Sequence, residues 1–150
     1  MEKQYTYQAT AHCHMHEPGF VEADYSIPGR INFSAPPEFG GDRGLWTPEH
    51  LLLAAVSSCF VASFRAVAGA SKLEFRHLDV NAVGTIEKQE GGFRFTTITL
   101  RLGLTITREE DRERASKMLE KAERICLVSR SLACAIAVEP KIILETTTAV

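Results

Sequence analysis

The stretch TPEHLLLAAVSSCFVASF, from Thr47 to Phe64, decides the fold. Thr47 can cap a helix, Pro48 suits its first turn, and Glu49 favours the positive end of the helix dipole. The apolar run that follows predicts a helix from about 48 to 69, which stops near a glycine. Because this helix is apolar on nearly all sides, we expect it to be central and buried, against other elements or against a second subunit.

The segment before this helix alternates between apolar and polar residues, which is typical of strands with one buried face. The apolar set of the first strand runs from Tyr5 to Met15, and the polar set includes His12, His14 and His16. Two glycine-containing turns then separate two further alternating runs. The chain is therefore predicted to open as a three-stranded antiparallel meander.

The segment after the helix contains two long strand patterns and a second helix. Strands are predicted at about 77–88 and 93–106, and an amphipathic helix follows and ends near Cys126. A short helix and a last strand at about 136–147 come next, and Pro140 suits an edge position in that strand. The predicted order is βββ-α-ββ-α-β, an α+β fold with largely antiparallel sheets around one long apolar helix.

The length and composition favour one soluble domain. The chain has 150 residues, 45% of them apolar, and a net charge of -2, which gives no general attraction to nucleic acid. The first ten residues contain no apolar signal-peptide core, and the run at 51–64 is too short to span a bilayer. We therefore expect a single domain over 1–150, a cytoplasmic location and no membrane partner.

Four cysteines need an interpretation, and a reducing cytoplasm makes a structural disulfide less probable than free thiols, a reactive thiol pair or a metal site. Cys13 lies in the apolar set of the first strand, and Cys134 precedes an apolar strand. Both are interpreted as small core residues.

Cys59 and Cys126 occupy less ordinary positions. Cys59 is either a small core residue of the apolar helix or a reactive thiol beside the hydroxyls of Ser57 and Ser58. Cys126 lies at a helix junction, where the dipole of a following helix would favour its thiolate. The residues alone leave open whether the two thiols meet.

Two motifs resemble the OsmC/Ohr family, the osmotically inducible protein C and organic hydroperoxide resistance proteins. In that family a Pro-Glu-x-Leu helix start precedes an Ala/Ser-Cys-Phe segment, and Glu49 and Cys59 have the family spacing of ten positions. AERICLVSRSL resembles the family's second motif, Cys-Pro-x-Ser, with Cys126 and Ser129 in place and Leu127 at the proline position. The predicted element order also fits the family along nearly the whole chain.

The resemblance implies an enzyme of oxidative-stress defence. Cys59, as thiolate, would attack an organic hydroperoxide and become a sulfenic acid, and Cys126 would resolve it to a disulfide. A dithiol reductant, such as a lipoyl group, would restore the thiols, and neither a metal nor a flavin cofactor is implied. The family fold is an intertwined homodimer with two sites at the subunit interface.

The family site also contains a glutamate and an arginine. Ten residues of straight helix separate Glu49 from Cys59 by about 15 Å, so Glu49 would act at the partner's thiol, or else it is only a first-turn dipole residue. Arg30 and Arg43 are candidates for the arginine, and a histidine of the first strand is another.

Two other functions are compatible with the sequence. The first is a non-catalytic OsmC-fold dimer that binds an apolar ligand at the subunit interface. The second is a metal-binding protein, because His12, His14 and His16 alternate along one strand face and two such histidines plus a third ligand can bind zinc or copper.

Overall fold

A computed structural model describes residues 2–146, which form two compact units divided between Leu52 and Leu53. The first unit contains an antiparallel sheet in the order β1-β2-β3, as the alternation predicts. Its strands are β1 (Ala9–His12), β2 (Gly19–Ala23) and β3 (Ile31–Phe33), and a 3-10 turn follows at Pro37–Phe39.

The expected buried face of the first strand is not buried by this chain. Tyr5 and Tyr7 are 72% and 87% exposed, and Met15 is 84% exposed. Strand β1 is also shorter than the alternating pattern, because His16 adopts a left-handed backbone (φ 74°) in the turn that follows. Alternation identifies an apolar face, but it does not say which element covers that face.

Helix α1 (Pro48–Ala70) confirms the helix predicted from the quoted stretch. Thr47 is its cap, since the backbone N–H of His50 donates to the Thr47 hydroxyl at 3.1 Å. Lys72, with a left-handed φ of 53°, follows the last turn.

The second unit contains a sheet in the order β4-β5-β6, formed by β4 (Phe75–Gln89), β5 (Gly92–Ile106) and β6 (Ala135–Leu144). Strands β4 and β5 form a long hairpin, but β6 pairs parallel to β5, from Thr97 opposite Ala135 onwards. The prediction of largely antiparallel sheets is therefore confirmed, and among the described strands the β5–β6 pairing is parallel.

The helices between β5 and β6 explain the parallel pairing. A 3-10 turn at Glu109–Asp111 leads into α2 (Arg112–Ile125), and α3 (Leu127–Arg130) follows. Parallel strands need a crossover of this length to return the chain to the same end of the sheet. Pro140 lies on β6, the edge strand of this sheet, as predicted. Residue 147, the predicted end of this strand, lies outside the described residues.

The core of the second unit lies between α1, the sheet and α2. It contains every second residue of β5 from Ile98 to Ile106, together with apolar side chains from both helices. The fully buried members of α1 and α2 are Val56, Phe60, Phe64, Ala115 and Ala122. These contacts establish an α+β fold organised around one apolar helix.

The prediction that the apolar run at 51–64 is too short to span a bilayer needs a correction. The run at 51–64 is part of a 23-residue helix, which is long and apolar enough to cross a bilayer by length and composition alone. One face of this helix belongs to the core described above, yet only 28% of its most apolar window is buried in this chain. Many residues of α1 are therefore only partly buried by the described chain.

Candidate active site

Cys59 lies in the middle of α1 and is partly exposed. Four groups near its sulfur favour the ionised thiol: the backbone N–H groups of Leu127 and Val128, the thiol of Cys126 and the hydroxyl of Ser63. The structure therefore brings Cys59 and Cys126 together, although they belong to elements far apart in the sequence.

The local structure at Cys126 explains why free N–H groups are available there. Cys126 is extended (φ -60°, ψ 109°) between α2 and α3, and its own N–H bonds to the Glu123 carbonyl at 3.3 Å. The first N–H groups of a helix have no partner within that helix. At the start of α3 these groups belong to Leu127 and Val128, and they act to lower the pKa of Cys59.

These contacts move the pKa values of the two thiols in opposite directions. Burial is the largest single influence on Cys59 and acts to raise its pKa, but the four groups near its sulfur together outweigh it and lower the pKa below the ordinary thiol value. Burial is also the largest influence on Cys126, and with the nearby Cys59 it raises the pKa of Cys126 despite the nearby Ser129, which acts to lower it. Cys59 is therefore the thiol that ionises first.

This result corrects the expectation for Cys126. The sequence predicted that a following helix would favour a thiolate at Cys126 itself. Helix α3 does begin directly after Cys126, and the N–H of Ser129 acts to lower the Cys126 pKa, but the N–H groups of Leu127 and Val128 act on Cys59. The side chain of Cys126 is fully buried, and that burial has the larger effect on its own pKa.

The serine hydroxyls next to Cys59 in the sequence form hydrogen bonds with backbone carbonyls and not with the thiol. Ser57 donates to the Ala54 carbonyl at 3.1 Å, and Ser58 donates to the Ala55 carbonyl at 3.2 Å. The hydroxyl that favours the ionised thiol belongs to Ser63, one helical turn further on. The i, i+4 spacing from Cys59 was the signal that could have identified it.

The other two cysteines are free thiols with different surroundings. Cys13 is exposed, so the prediction that it is a core residue is wrong for this chain, for the same reason as the exposed face of β1. Cys134 is partly buried and packs against the core of the second unit, as predicted.

Glu49 lies in the first turn of α1, ten residues before Cys59 on the same helix. This spacing corresponds to about 15 Å along the helix axis, so the structure does not bring Glu49 to the thiol of its own chain. Its Oε2 atom is buried, and no described residue forms a hydrogen bond with it.

The histidines of the first strand do not converge on a metal site. Nε2 of His12 lies 2.8 Å from a carboxylate oxygen of Glu22, and the His12 ring stacks on Phe20 with centroids 4.6 Å apart. His14 also stacks on Phe20, at 6.3 Å, whereas His16 belongs to the turn. Within residues 2–146 no three His, Cys, Asp or Glu side chains are grouped to hold a metal ion.

The arginine candidates both lie in the first unit. The Arg30 guanidinium lies 4.3 Å from the centroid of the Phe20 ring, in a cation-π contact. Arg43 is exposed in the loop before α1. A role for either arginine at a thiolate stays a prediction.

A cavity of about 390 Å³ between α2 and β6 lies apart from the two thiols. Leu119 and Val138 supply part of its apolar lining, and Glu123 borders it. The Oε2 atom of Glu123 is buried without a hydrogen-bond partner among the described residues, and burial raises the pKa of this carboxyl. Neither Cys59 nor Cys126 lines the cavity, so we do not assign it to the thiol chemistry.

The model of the OsmC-like protein family matches residues 40–141, about two thirds of the chain, and this range includes both Cys59 and Cys126. The chain belongs to the OsmC-like family. The resemblance carried by the two cysteine motifs is therefore confirmed.

Individual relatives are distant in sequence and close in structure. The uncharacterized protein YmaD of Bacillus subtilis is 27% identical over 104 residues, which are 67% of this chain and 69% of that protein. An OsmC-like protein of unknown function from Vibrio cholerae is 22% identical and superposes with a TM-score of 0.81, over 93% of this chain and 100% of its own. This second likeness shows the fold alone.

A third relative has a name that refers to a function. An organic hydroperoxide resistance protein from Elizabethkingia anophelis, with thiocyanate bound, is 26% identical, and its TM-score is 0.73. The match covers 98% of this chain and 100% of that protein. Membership of the OsmC-like family and this likeness support a role in peroxide stress.

Proposed function

We propose that this OsmC-like protein is a thiol peroxidase that reduces organic hydroperoxides, with Cys59 as the attacking thiol and Cys126 as the resolving thiol. The observation that carries the proposal is the proximity of the two thiols, with the pKa of Cys59 lowered and that of Cys126 raised. A lowered pKa increases the fraction of thiolate at a given pH, and the thiolate is the nucleophile.

The first step oxidises Cys59. Its thiolate attacks the distal oxygen of the hydroperoxide, the O–O bond breaks, and the sulfur keeps that oxygen as a sulfenic acid. The remaining alkoxide takes up a proton, equivalent to the one that the Cys59 thiol lost, and leaves as an alcohol. Partly exposed Cys59 is accessible to a peroxide, whereas fully buried Cys126 is not.

The second step forms the disulfide. The Cys126 sulfur attacks the Cys59 sulfur, the S–O bond breaks, and the thiol proton and the hydroxyl leave together as water. The two thiols are already close enough to shift each other's pKa, and Cys59 packs against the cluster that contains Cys126, so this attack needs little rearrangement. Since the pKa of Cys126 is raised above all by burial, Cys126 stays a thiol until Cys59 has reacted.

A dithiol then restores both cysteines. Its first thiolate attacks the accessible Cys59 sulfur and releases Cys126 as a thiolate, whose pKa the nearby Ser129 acts to lower. The second thiol of the reductant closes its own disulfide and releases Cys59. The cycle uses only thiols and peroxide, so we propose no metal or flavin cofactor. A lipoyl-type dithiol in the cytoplasm would be a suitable reductant.

We further propose that the working unit is a homodimer. Many residues of α1 are only partly buried by their own chain, and Tyr5, Tyr7 and Met15 form an exposed apolar set. A partner subunit would cover such surfaces and bring its Glu49 to the thiol. Sedimentation of the purified protein tests this proposal: the expected mass is twice the 16.6 kDa of one chain, and a stable monomer would contradict it.

The activity is tested by organic hydroperoxide consumption with dihydrolipoamide as reductant. We expect wild type and Cys59→Ser to differ by at least about a hundredfold, because the serine hydroxyl is not ionised at neutral pH. Cys13→Ser is the matched control, since Cys13 is exposed and lies outside the site, and it should retain wild-type rates.

Equal consumption by wild type and Cys59→Ser would reject the peroxidase. The exposed apolar surface of α1 would then favour the second candidate, a non-catalytic dimer that binds an apolar ligand at the subunit interface. That candidate predicts ligand binding unchanged by Cys59→Ser.

A further inference from the structure

The cavity between α2 and β6 has the size of a small-molecule site. Its volume of about 390 Å³ falls within the range of pockets that hold small ligands. Leu119 belongs to the core of the second unit and Val138 packs against that core, so these two walls of the cavity are fixed by packing. Pro140 on the edge strand extends the apolar lining. A ligand that fills this space therefore needs an apolar body.

Glu123 supplies the cavity with a polar group that lacks a partner. Its Oε2 atom is buried, and no described residue forms a hydrogen bond with it. Pro140, across the cavity, has no backbone N–H that could donate to this oxygen. A buried carboxylate oxygen without a partner costs free energy, so a donor brought by a ligand would be bound favourably at this point.

The charges around the cavity favour a positive donor. Two carboxylates, those of Glu120 and Glu123, border it, against one guanidinium, that of Arg124, among the described residues of the lining. Glu123 also lies in the last turn of α2, where the negative end of the helix dipole opposes a carboxylate and favours a cation. An ammonium group at this position would satisfy the carboxylate and the dipole together.

We propose that this cavity binds a small apolar amine, whose ammonium group pairs with the Glu123 carboxylate while its hydrocarbon body packs against Leu119 and Val138. Neither Cys59 nor Cys126 lines the cavity, so this inference goes beyond peroxide reduction and does not rest on it. The unpaired carboxylate and the open space beside it both lower the stability of the free chain. A bound amine offsets the first and fills the second.

The test titrates the full-length protein near pH 7 with three probes that share one phenylalkyl body. They are 4-phenylbutylamine, 4-phenylbutanol and 4-phenylbutyrate, which at this pH are a cation, a neutral molecule and an anion. Amide shifts in ¹H–¹⁵N spectra report both the affinity and the location of each probe. We expect the amine to bind at least about tenfold more tightly than the alcohol, and the anion not to bind. The shifts should be grouped at 116–124 and 138–140.

Glu123→Gln removes the charge and keeps the shape of the side chain. It should weaken binding of the amine at least about tenfold and leave the affinity for the alcohol within about twofold. Glu120→Gln is the matched control, because Glu120 borders the same cavity but is exposed. Since exposed charges are screened by solvent, this variant should weaken binding of the amine less than about threefold.

Ser116 tests the space separately from the charge, because it lines the cavity and is partly buried on α2. Ser116→Leu occupies part of the cavity and should weaken binding of both the amine and the alcohol. Ser116→Ala leaves the space open and should bind both like wild type.

Equal affinities of the wild type for the amine and the alcohol would overturn the proposal, as would equal weakening by Glu120→Gln and Glu123→Gln. Shifts grouped around Cys59 would place the amine at the thiols and not in this cavity, and would also overturn it. Absence of shifts with all three probes would show that the cavity is closed to ligands in the assembled protein and would reject the site.

Discussion

The thiol of Cys59, on the central helix α1, lies close enough to the thiol of Cys126, at the junction of α2 and α3, for each to shift the other's pKa. The same proximity lowers the pKa of one thiol and raises that of the other, as expected when two ionisable groups share one site. This asymmetry gives each thiol a separate role, and the first prediction depends on it.

Cys126→Ser should stop the cycle after the first step. Cys59 would still attack the peroxide, so a single equivalent of alcohol should form at a rate within about threefold of wild type, but turnover with dihydrolipoamide should fall at least about tenfold. A sulfenic-acid probe such as dimedone should label Cys59 in this variant, and mass spectrometry would locate the label.

Cys134→Ser is the matched control for this experiment, because Cys134 is a partly buried thiol outside the contacting pair. It should form the Cys59–Cys126 disulfide and turn over like wild type. If turnover were undiminished in Cys126→Ser and lost in Cys134→Ser, the resolving thiol would be Cys134 and the role proposed for Cys126 would be wrong.

The elements of the second unit could be predicted from the sequence because local patterns determine them. The alternating residues Ile98 to Ile106 form the buried face of β5, and the cap at Thr47 marks the start of α1 within one residue. Strand direction is harder to predict from the sequence. Strand β6 runs parallel to β5 because the α2 crossover returns the chain to the same end of the sheet, and hydrophobic periodicity does not encode strand direction.

The candidate site could be predicted only in part. Motif spacing identified Cys59 and Cys126, but it assigned the effect of the first N–H groups of α3 to the wrong thiol and overlooked Ser63. Those facts depend on which atoms meet across elements. The prediction that Cys13 is a core residue was wrong for a related reason, since an alternating strand does not reveal what covers its apolar face.

Asp111 provides a test of how α2 is fixed to the rest of the second unit. It is 5% exposed and accepts hydrogen bonds from Arg108 at 3.0 and 3.3 Å and from Arg114 at 3.3 Å. Arg114 also donates to the Ser71 carbonyl at 3.1 Å, which links α2 to the end of α1. Asp111→Asn should lower the free energy of unfolding by about 1–3 kcal/mol in urea denaturation.

The matched control for Asp111→Asn is Glu110→Gln. Glu110 pairs with the same arginine, Arg108, at 3.0 Å, but its side chain is 72% exposed. Exposed ion pairs contribute little, so this variant should change stability by less than about 0.5 kcal/mol. Equal effects of the two substitutions would show that burial of Asp111 does not decide the strength of its contacts.

Gly84 and Gly103 lie on the β4–β5 hairpin and differ in the space beside them. A Cβ atom on Gly84 would lie 2.6 Å from the Phe95 ring and 3.0 Å from Leu53, whereas on Gly103 the nearest atom, Asp79 Cβ, would be 4.0 Å away. Gly84→Ala should therefore destabilise by about 1–3 kcal/mol through overpacking. Gly103→Ala should be close to neutral, and thermal unfolding of the two variants distinguishes them.

Glu123 should make stability depend on pH in a defined direction. Burial raises the pKa of this carboxyl above its usual 4.5, and its Oε2 atom has no described hydrogen-bond partner. A raised folded-state pKa contributes stability that is fully present below pH 4.5 and is lost as the pH rises through the folded value. At pH 7 the ionised Glu123 carboxylate therefore destabilises the folded protein, and a variant with a neutral side chain at this position should be more stable.

We expect Glu123→Gln to unfold at a temperature about 1–2 °C above wild type at pH 7, a modest gain because the side chain is only partly buried. The gain should shrink below pH 4.5, where the wild-type carboxyl is also neutral. Glu120→Gln, on the same helix but exposed, is the control and should show no pH-dependent gain. A Glu123→Gln variant that is less stable than wild type at pH 7 would mean that the ionised carboxylate has a stabilising partner.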